Sequence, residues 1–200
     1  MKLIKSSILA IAALLATGTA FAQTTDSDDI NISAAFSSSI DLNVTDGANI
    51  SFVVASLDNY TNGLVDPTAY TSTFQVSSSV DFKVDLASTS FSDGNGNELS
   101  AGNFGYTVSD AGTYQVGTNH LLLGGSTSPA PLAVLGAPRT IVEATGSGNA
   151  GPFTANTFKI KFELGTAAAR AVSGLPILLQ QNIAPATYTS VVTLTASAMP

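Results

Sequence analysis

Residues 80–86 read VDFKVDL, with Val80, Phe82, Val84 and Leu86 alternating with Asp81, Lys83 and Asp85. In an extended chain successive side chains leave opposite faces, so four apolar residues share one face and three charges share the other. A helix would scatter both sets around its circumference. The stretch predicts a strand with one buried and one wet face, as in an antiparallel sheet laid on a core. FKIKFEL at 158–164 repeats the pattern, setting Phe158, Ile160, Phe162 and Leu164 opposite Lys159, Lys161 and Glu163. Opposite charges facing each other across a ladder favour pairing. The two strands are therefore expected to be neighbours, with Asp81 or Asp85 against Lys159 or Lys161.

Shorter alternations surround these two: Ile40-Leu42-Val44, Ile50-Phe52-Val54, Phe74-Val76, Phe104-Tyr106-Val108, and a closing run with Tyr188, Val192 and Leu194 on the core side. Between them lie turn signals at Asp46-Gly47, Asn62-Gly63, 93–97 (DGNGN) and 146–152 (GSGNAGP). Many short strands with frequent turns predict an all-β fold. The expected form is a single antiparallel β-sandwich of Ig-like or pilin-like Greek-key type, with roughly seven to ten strands. Only 165–174, GTAAARAVSG, has helix-friendly composition, so at most one short helix is expected. The stretch 121–139, with Pro129, Pro131 and Pro138, is expected to be a long loop with irregular edge strands.

The start of the chain reads as a targeting segment. Lys2 and Lys5 precede an apolar run at 8–16, and Ala20-Phe21-Ala22 offers a small-x-small cleavage site before Gln23. Residues 1–22 are thus expected to be a cleaved signal peptide, too short to span a membrane. Residues 23–29 are expected to form a flexible polar N-terminus, and 30–200 the sandwich domain. Within the latter Ile30, Ile32, Ala34 and Phe36 alternate as a further strand. No transmembrane segment is expected in the mature chain. The protein is placed in the periplasm, at the cell surface or outside the cell, and the absence of Cys leaves its fold to the core rather than to disulfides.

Charge narrows the partners. The whole chain carries −7, and losing Lys2 and Lys5 leaves five basic residues against fourteen acidic ones, a net −9. That field repels phosphate backbones, so nucleic acid is not an expected partner. Other surface proteins, a second copy or a glycan remain.

Chemistry is sparse. His120, the single histidine, would have to serve any Ser-His-Asp triad or histidine metal site, and the chain contains no G-x-S-x-G. It is read as a loop or strand-end residue. Asp81 and Asp85 share a face but have Lys83 between them, which argues against a glycosidase pair. No enzyme, catalytic residue or cofactor is expected. The one metal candidate is Asp93, Asn95, Asn97 and Glu98, oxygen ligands spaced like the start of a calcium loop. The competing reading of the same residues is a hairpin turn built on Asp-Gly and Asn-Gly. Tyr60, Tyr70 and Tyr114, if exposed, could stack on sugars, whereas on a sandwich such rings more often pack.

The closing PATYTSVVTLTAS, through Pro185, Ala186, Tyr188, Val192, Thr193 and Leu194, resembles the last strand of bacterial surface β-sandwiches: WxL-type, spore coat protein U-like and pilin-like domains. The stretch 57–91 is similar to small exported sandwiches of Gram-negative bacteria. The resemblance implies a non-catalytic structural component of a bacterial cell surface or extracellular matrix. Its alternatives are a pilin-like fibre subunit assembled by strand donation and a carbohydrate-binding or adhesive module. The chain has no Trp and no Cys, so the wall attachment of the WxL group is not carried over.

Overall fold

A computed structural model describes residues 33–123 and 132–200. The chain divides into a unit Met1–Phe36 and a unit Ser37–Pro200. The signal peptide, the polar segment 23–29, Ile30, Ile32, Pro129 and Pro131 fall outside the described residues. Ala34 and Phe36, expected in a strand, lie in none, and Phe36 is 96% exposed.

The second unit is an antiparallel β-sandwich. Its longer strands are β1 (Ile40–Asp46), β3 (Thr71–Ser78), β4 (Phe82–Ser88), β7 (Phe104–Asp110), β8 (His120–Leu122), β10 (Arg139–Ala144), β11 (Thr157–Leu164) and β12 (Val192–Ala198). These eight meet the expected number. Four two-residue pairings raise the described total to twelve: β2 (Leu64–Val65), β5 (Phe91–Ser92), β6 (Glu98–Leu99) and β9 (Ala133–Val134). One sheet runs β1-β3-β11-β7-β9 with β2 also on β11; the second runs β12-β4-β10-β8; β5 and β6 form a small hairpin. From β3 onward the long strands pass back and forth between the two sheets, except that β8 and β10 share the second, so most ladder neighbours are distant in sequence.

The apolar faces meet as the alternation requires. Phe82, Val84 and Leu86 of β4 are buried against Phe74 and Val76 of β3 and Phe158 and Ile160 of β11 in one core cluster. Each large side chain so buried contributes about 1.5–3 kcal/mol. The expected pairing of 80–86 with 158–164 is wrong, because β4 and β11 belong to different sheets. They face each other across the core rather than along a ladder. The wet face of β4 finds other partners: Lys83 lies 3.2 Å from Asp85 and opposite Glu143, and Thr140 donates to Asp85 at 2.6 Å. The Thr140 hydroxyl, with Lys83 adding to it, holds the Asp85 carboxyl below its ordinary value.

Among the described residues two short α-helices are present where at most one was expected. The expected one, α2 (Ala167–Ser173), is capped by Thr166 and closed by Gly174 in the left-handed region. It lies over β9 and the end of β7 and buries Glu163, which the alternation had placed in water. Thr166 donates to that carboxylate. Gly105, opposite Glu163, makes the approach feasible, since a Cβ there would stand 2.9 Å from Glu163 Cγ and 3.1 Å from Ala169 Cβ. The unforeseen α1 (Leu57–Asn62) starts in a capping box between Ser56 and Asn59 and ends at Gly63.

Each end of the sandwich is tied by buried amides. At one end, where the chain crosses from β3 to β4, Asn149 takes the place of a strand neighbour. Its Oδ1 accepts from Phe82 N at 2.9 Å and its Nδ2 donates to Phe82 O at 2.9 Å. Asp81, read as a wet strand residue, instead accepts from the backbone N–H groups of Asn149 and Ala150. Gly151 bridges Ser78, and Asn156 donates to Asn149 O. At the other end Asn103 and Gln181 exchange side-chain hydrogen bonds of 2.9 and 2.7 Å.

Asn149→Ala should therefore leave both backbone groups of Phe82 buried without a partner, at about 1–3 kcal/mol for each. Asn149→Asp, which keeps the acceptor, should lose less. Urea unfolding of the three proteins measures the order; equal stability of all three would show that the clamp contributes nothing.

Candidate functional site

Three places carry features that a site could use. The first is a flank of the sandwich crossed by residues 50–54. Ile50, Phe52 and Val54 turn toward the core and Ser51 and Val53 away, as the alternation predicts. Yet the segment is not a strand: among the described residues none of its backbone N–H or C=O groups has a hydrogen-bond partner. Its anchor is aromatic. Phe52 sits 4.1 Å from Tyr70 and 5.7 Å from Phe104, which stacks on Phe91 at 3.9 Å. A cavity of about 350 Å³ opens between this segment and β12, and one of about 430 Å³ between it and the 183–189 turn. Both are in the size range of ligand sites. Among the described residues their walls hold no ionisable group other than the Tyr60 and Tyr188 phenols, so they offer shape and apolar surface rather than acid–base chemistry.

The second place is His120. Read from the sequence as a loop or strand-end residue, it does open β8, but it is fully buried. It packs edge-on against Phe158 at 5.1 Å and lies 3.9 Å from Asp110, beyond hydrogen-bond reach. Among the described residues both ring nitrogens lack a hydrogen-bond partner. Burial depresses its pKa from the ordinary 6.5, and the Asp110 carboxylate offsets only part of that. Folding thus disfavours the imidazolium form. Among the described residues no serine stands within hydrogen-bond distance of it to serve as a nucleophile.

The third is the 93–98 loop. Asp93 Oδ1 accepts from the backbone N–H of Asn95 at 2.8 Å and of Asn97 at 3.0 Å, and Oδ2 accepts from Asn97 Nδ2 at 2.7 Å. These bonds, the Asn97 side chain foremost, lower the Asp93 pKa. Gly94 and Gly96 take positive φ of 77° and 97°, and the β5–β6 hairpin closes around them. The carboxylate is turned into the loop, which is the work of a turn residue. Glu98 is exposed on β6. Among the described residues no group of three or more His, Asp or Glu gathers in a metal-binding cluster.

The tyrosines are not open platforms. Tyr60, Tyr70 and Tyr114 are all half-buried; Tyr70 packs on Phe52, and the Tyr114 hydroxyl donates to Ala150 O at 2.9 Å. Tyr188 donates to Ala184 O at 2.8 Å, which fixes the turn leading to β12.

No protein-family model and no curated protein sequence matches the chain.

His120 makes stability depend on pH. The unfolded chain takes up a proton near pH 6.5, while the folded chain resists it until lower pH. The contribution is whole above 6.5 and is lost as pH falls from there through the depressed folded value. Carboxylates titrate mostly below this window. The melting temperature should fall as pH drops from 7 to 5, and His120→Leu, which removes the orphan nitrogens, should flatten that slope. An unchanged slope in the variant would assign the dependence to other groups.

Proposed function

We propose that this protein is a non-catalytic structural component of a bacterial cell surface or extracellular matrix, exported through a cleaved signal peptide. One observation supports this reading above the others: apart from His120, the buried polar side chains among the described residues are spent on holding the scaffold. Asn149 clamps the β3–β4 crossover, Asn103 and Gln181 tie the opposite end, Asn156 secures the Asn149 loop, and Glu163 and Thr166 pin α2. A catalytic site requires such groups to face a substrate; here they face the chain itself. The outer face of β3 carries Thr71, Thr73, Gln75 and Ser77, a hydrated surface of low charge suited to standing in solvent.

Intact producing cells should label with antibody to the folded domain, and protease applied outside the cells should remove the label. The recovered chain should begin at Gln23. A chain found in the cytoplasm with residues 1–22 retained would contradict the reading, as would hydrolysis of a glycan by the purified protein.

A further inference from the structure

Every open sheet exposes edge strands, and exposed edges invite pairing unless they are blunted by shortness, charge or a bulge. Among the described residues three of the four edges of the two large sheets are blunted. Strand β9 has two residues and β8 three. Strand β1 carries Asp41 and Asp46 and breaks register between Val44 and Asp46. The fourth edge, β12, has none of these defences. Its seven residues, VTLTASA, include no charge, Pro or Gly, and it pairs with β4 in unbroken register from Val192↔Ser88 to Ala198↔Phe82. Among the described residues the backbone of Val192–Ala198 has no partner other than β4. Beside it Val191 is 78% exposed.

We propose that β12 is the self-association edge of this protein: two copies pair β12 with β12, antiparallel, about a two-fold axis at Thr195, joining their four-stranded sheets into one of eight strands. The strand's own sequence suits a second copy as its occupant. Antiparallel pairing centred on Thr195 uses all seven residues and keeps each face in place. On the core side Val192 meets Ala198 and Leu194 meets Ala196. On the wet side Thr193 meets Ser197 and Thr195 meets its own counterpart, hydroxyl pairs that favour a ladder. Charge points the same way. Two copies each carrying −7 repel over most of their surface, and this neutral strip lets them approach without setting carboxylates face to face.

Sedimentation of the purified chain from micromolar to millimolar concentration tests this. A monomer–dimer equilibrium is expected, and Thr195→Lys should weaken it at least about ten-fold by opposing two cations at the axis. Thr195 is exposed, so the melting temperature of the dilute variant should not change. Asn43→Lys on the β1 edge should leave association intact. Because the chain has no Cys, Thr195→Cys alone should give a disulfide-linked dimer on oxidation, whereas Thr193→Cys alone should not. A chain monomeric throughout would overturn the proposal, as would association that survives Thr195→Lys. Association indifferent to Thr195→Lys but dispersed by a peptide of residues 28–36 would give the edge to that segment instead, and would equally overturn it.

Discussion

The crossover from β3 to β4 imposes the constraint on which the rest of the structure depends. Between Ser78 and Phe82 the chain leaves one sheet and enters the other, and Phe82 arrives with its ring fully buried. A backbone so deep must find hydrogen bonds, and the Asn149 side chain supplies both. With Phe82 fixed, Val84 and Leu86 follow onto the core face, and the inner surface of the second sheet is set. Its ladders then place β10 and β12 on either side of β4. The loop that carries Asn149 also bridges Ser78 through Gly151, so one polar segment holds the last residue of β3 and the first of β4. In a chain without disulfides this links the sheets at one end as the Asn103–Gln181 pair links elements at the other.

Much of this was legible in the sequence because it follows from a period of two. The β4 and β11 alternations, β1, β3 and β7, the closing strand and α2 lie where pattern and composition placed them, except that Val80 and Tyr188 fall outside their strands. What the pattern reports is which face is covered, and it reports nothing about the backbone. Residues 50–54 show the difference: Ile50, Phe52 and Val54 turn inward as a strand's would, yet the segment joins no ladder. Pairing was illegible for a related reason. The outer faces of β4 and β11 carry complementary charges, but both strands are large and apolar within, and the core required them on opposite sheets.

The misread polar residues Glu163 and Asp81 share one cause, cover supplied by segments outside their own strand. Glu163 follows the outward phase of its strand, and only the fold of α2 back over Gly105 buries it. Asp81 follows the outward phase of its own, but a loop 68 residues later brings two N–H groups to it. His120 had a local signal that the reading passed over, since His120 and Leu122 are two apart and both are buried. α1 likewise had one, the capping-box pair Ser56 and Asn59, masked by the turn signal at Asn62-Gly63.

The account's central claim is that two sheets, clamped at the crossover, form one cooperative core. Native-state hydrogen exchange tests it most directly. Ladder amides of β4 in one sheet and β11 in the other should exchange only through global unfolding, with one common free energy and one common denaturant dependence. The unpaired amides of 50–54 should exchange far faster. If β4, β10 and β12 open together at a lower free energy than β3, β11 and β7, the sheets are separate units and the crossover clamp does not join them.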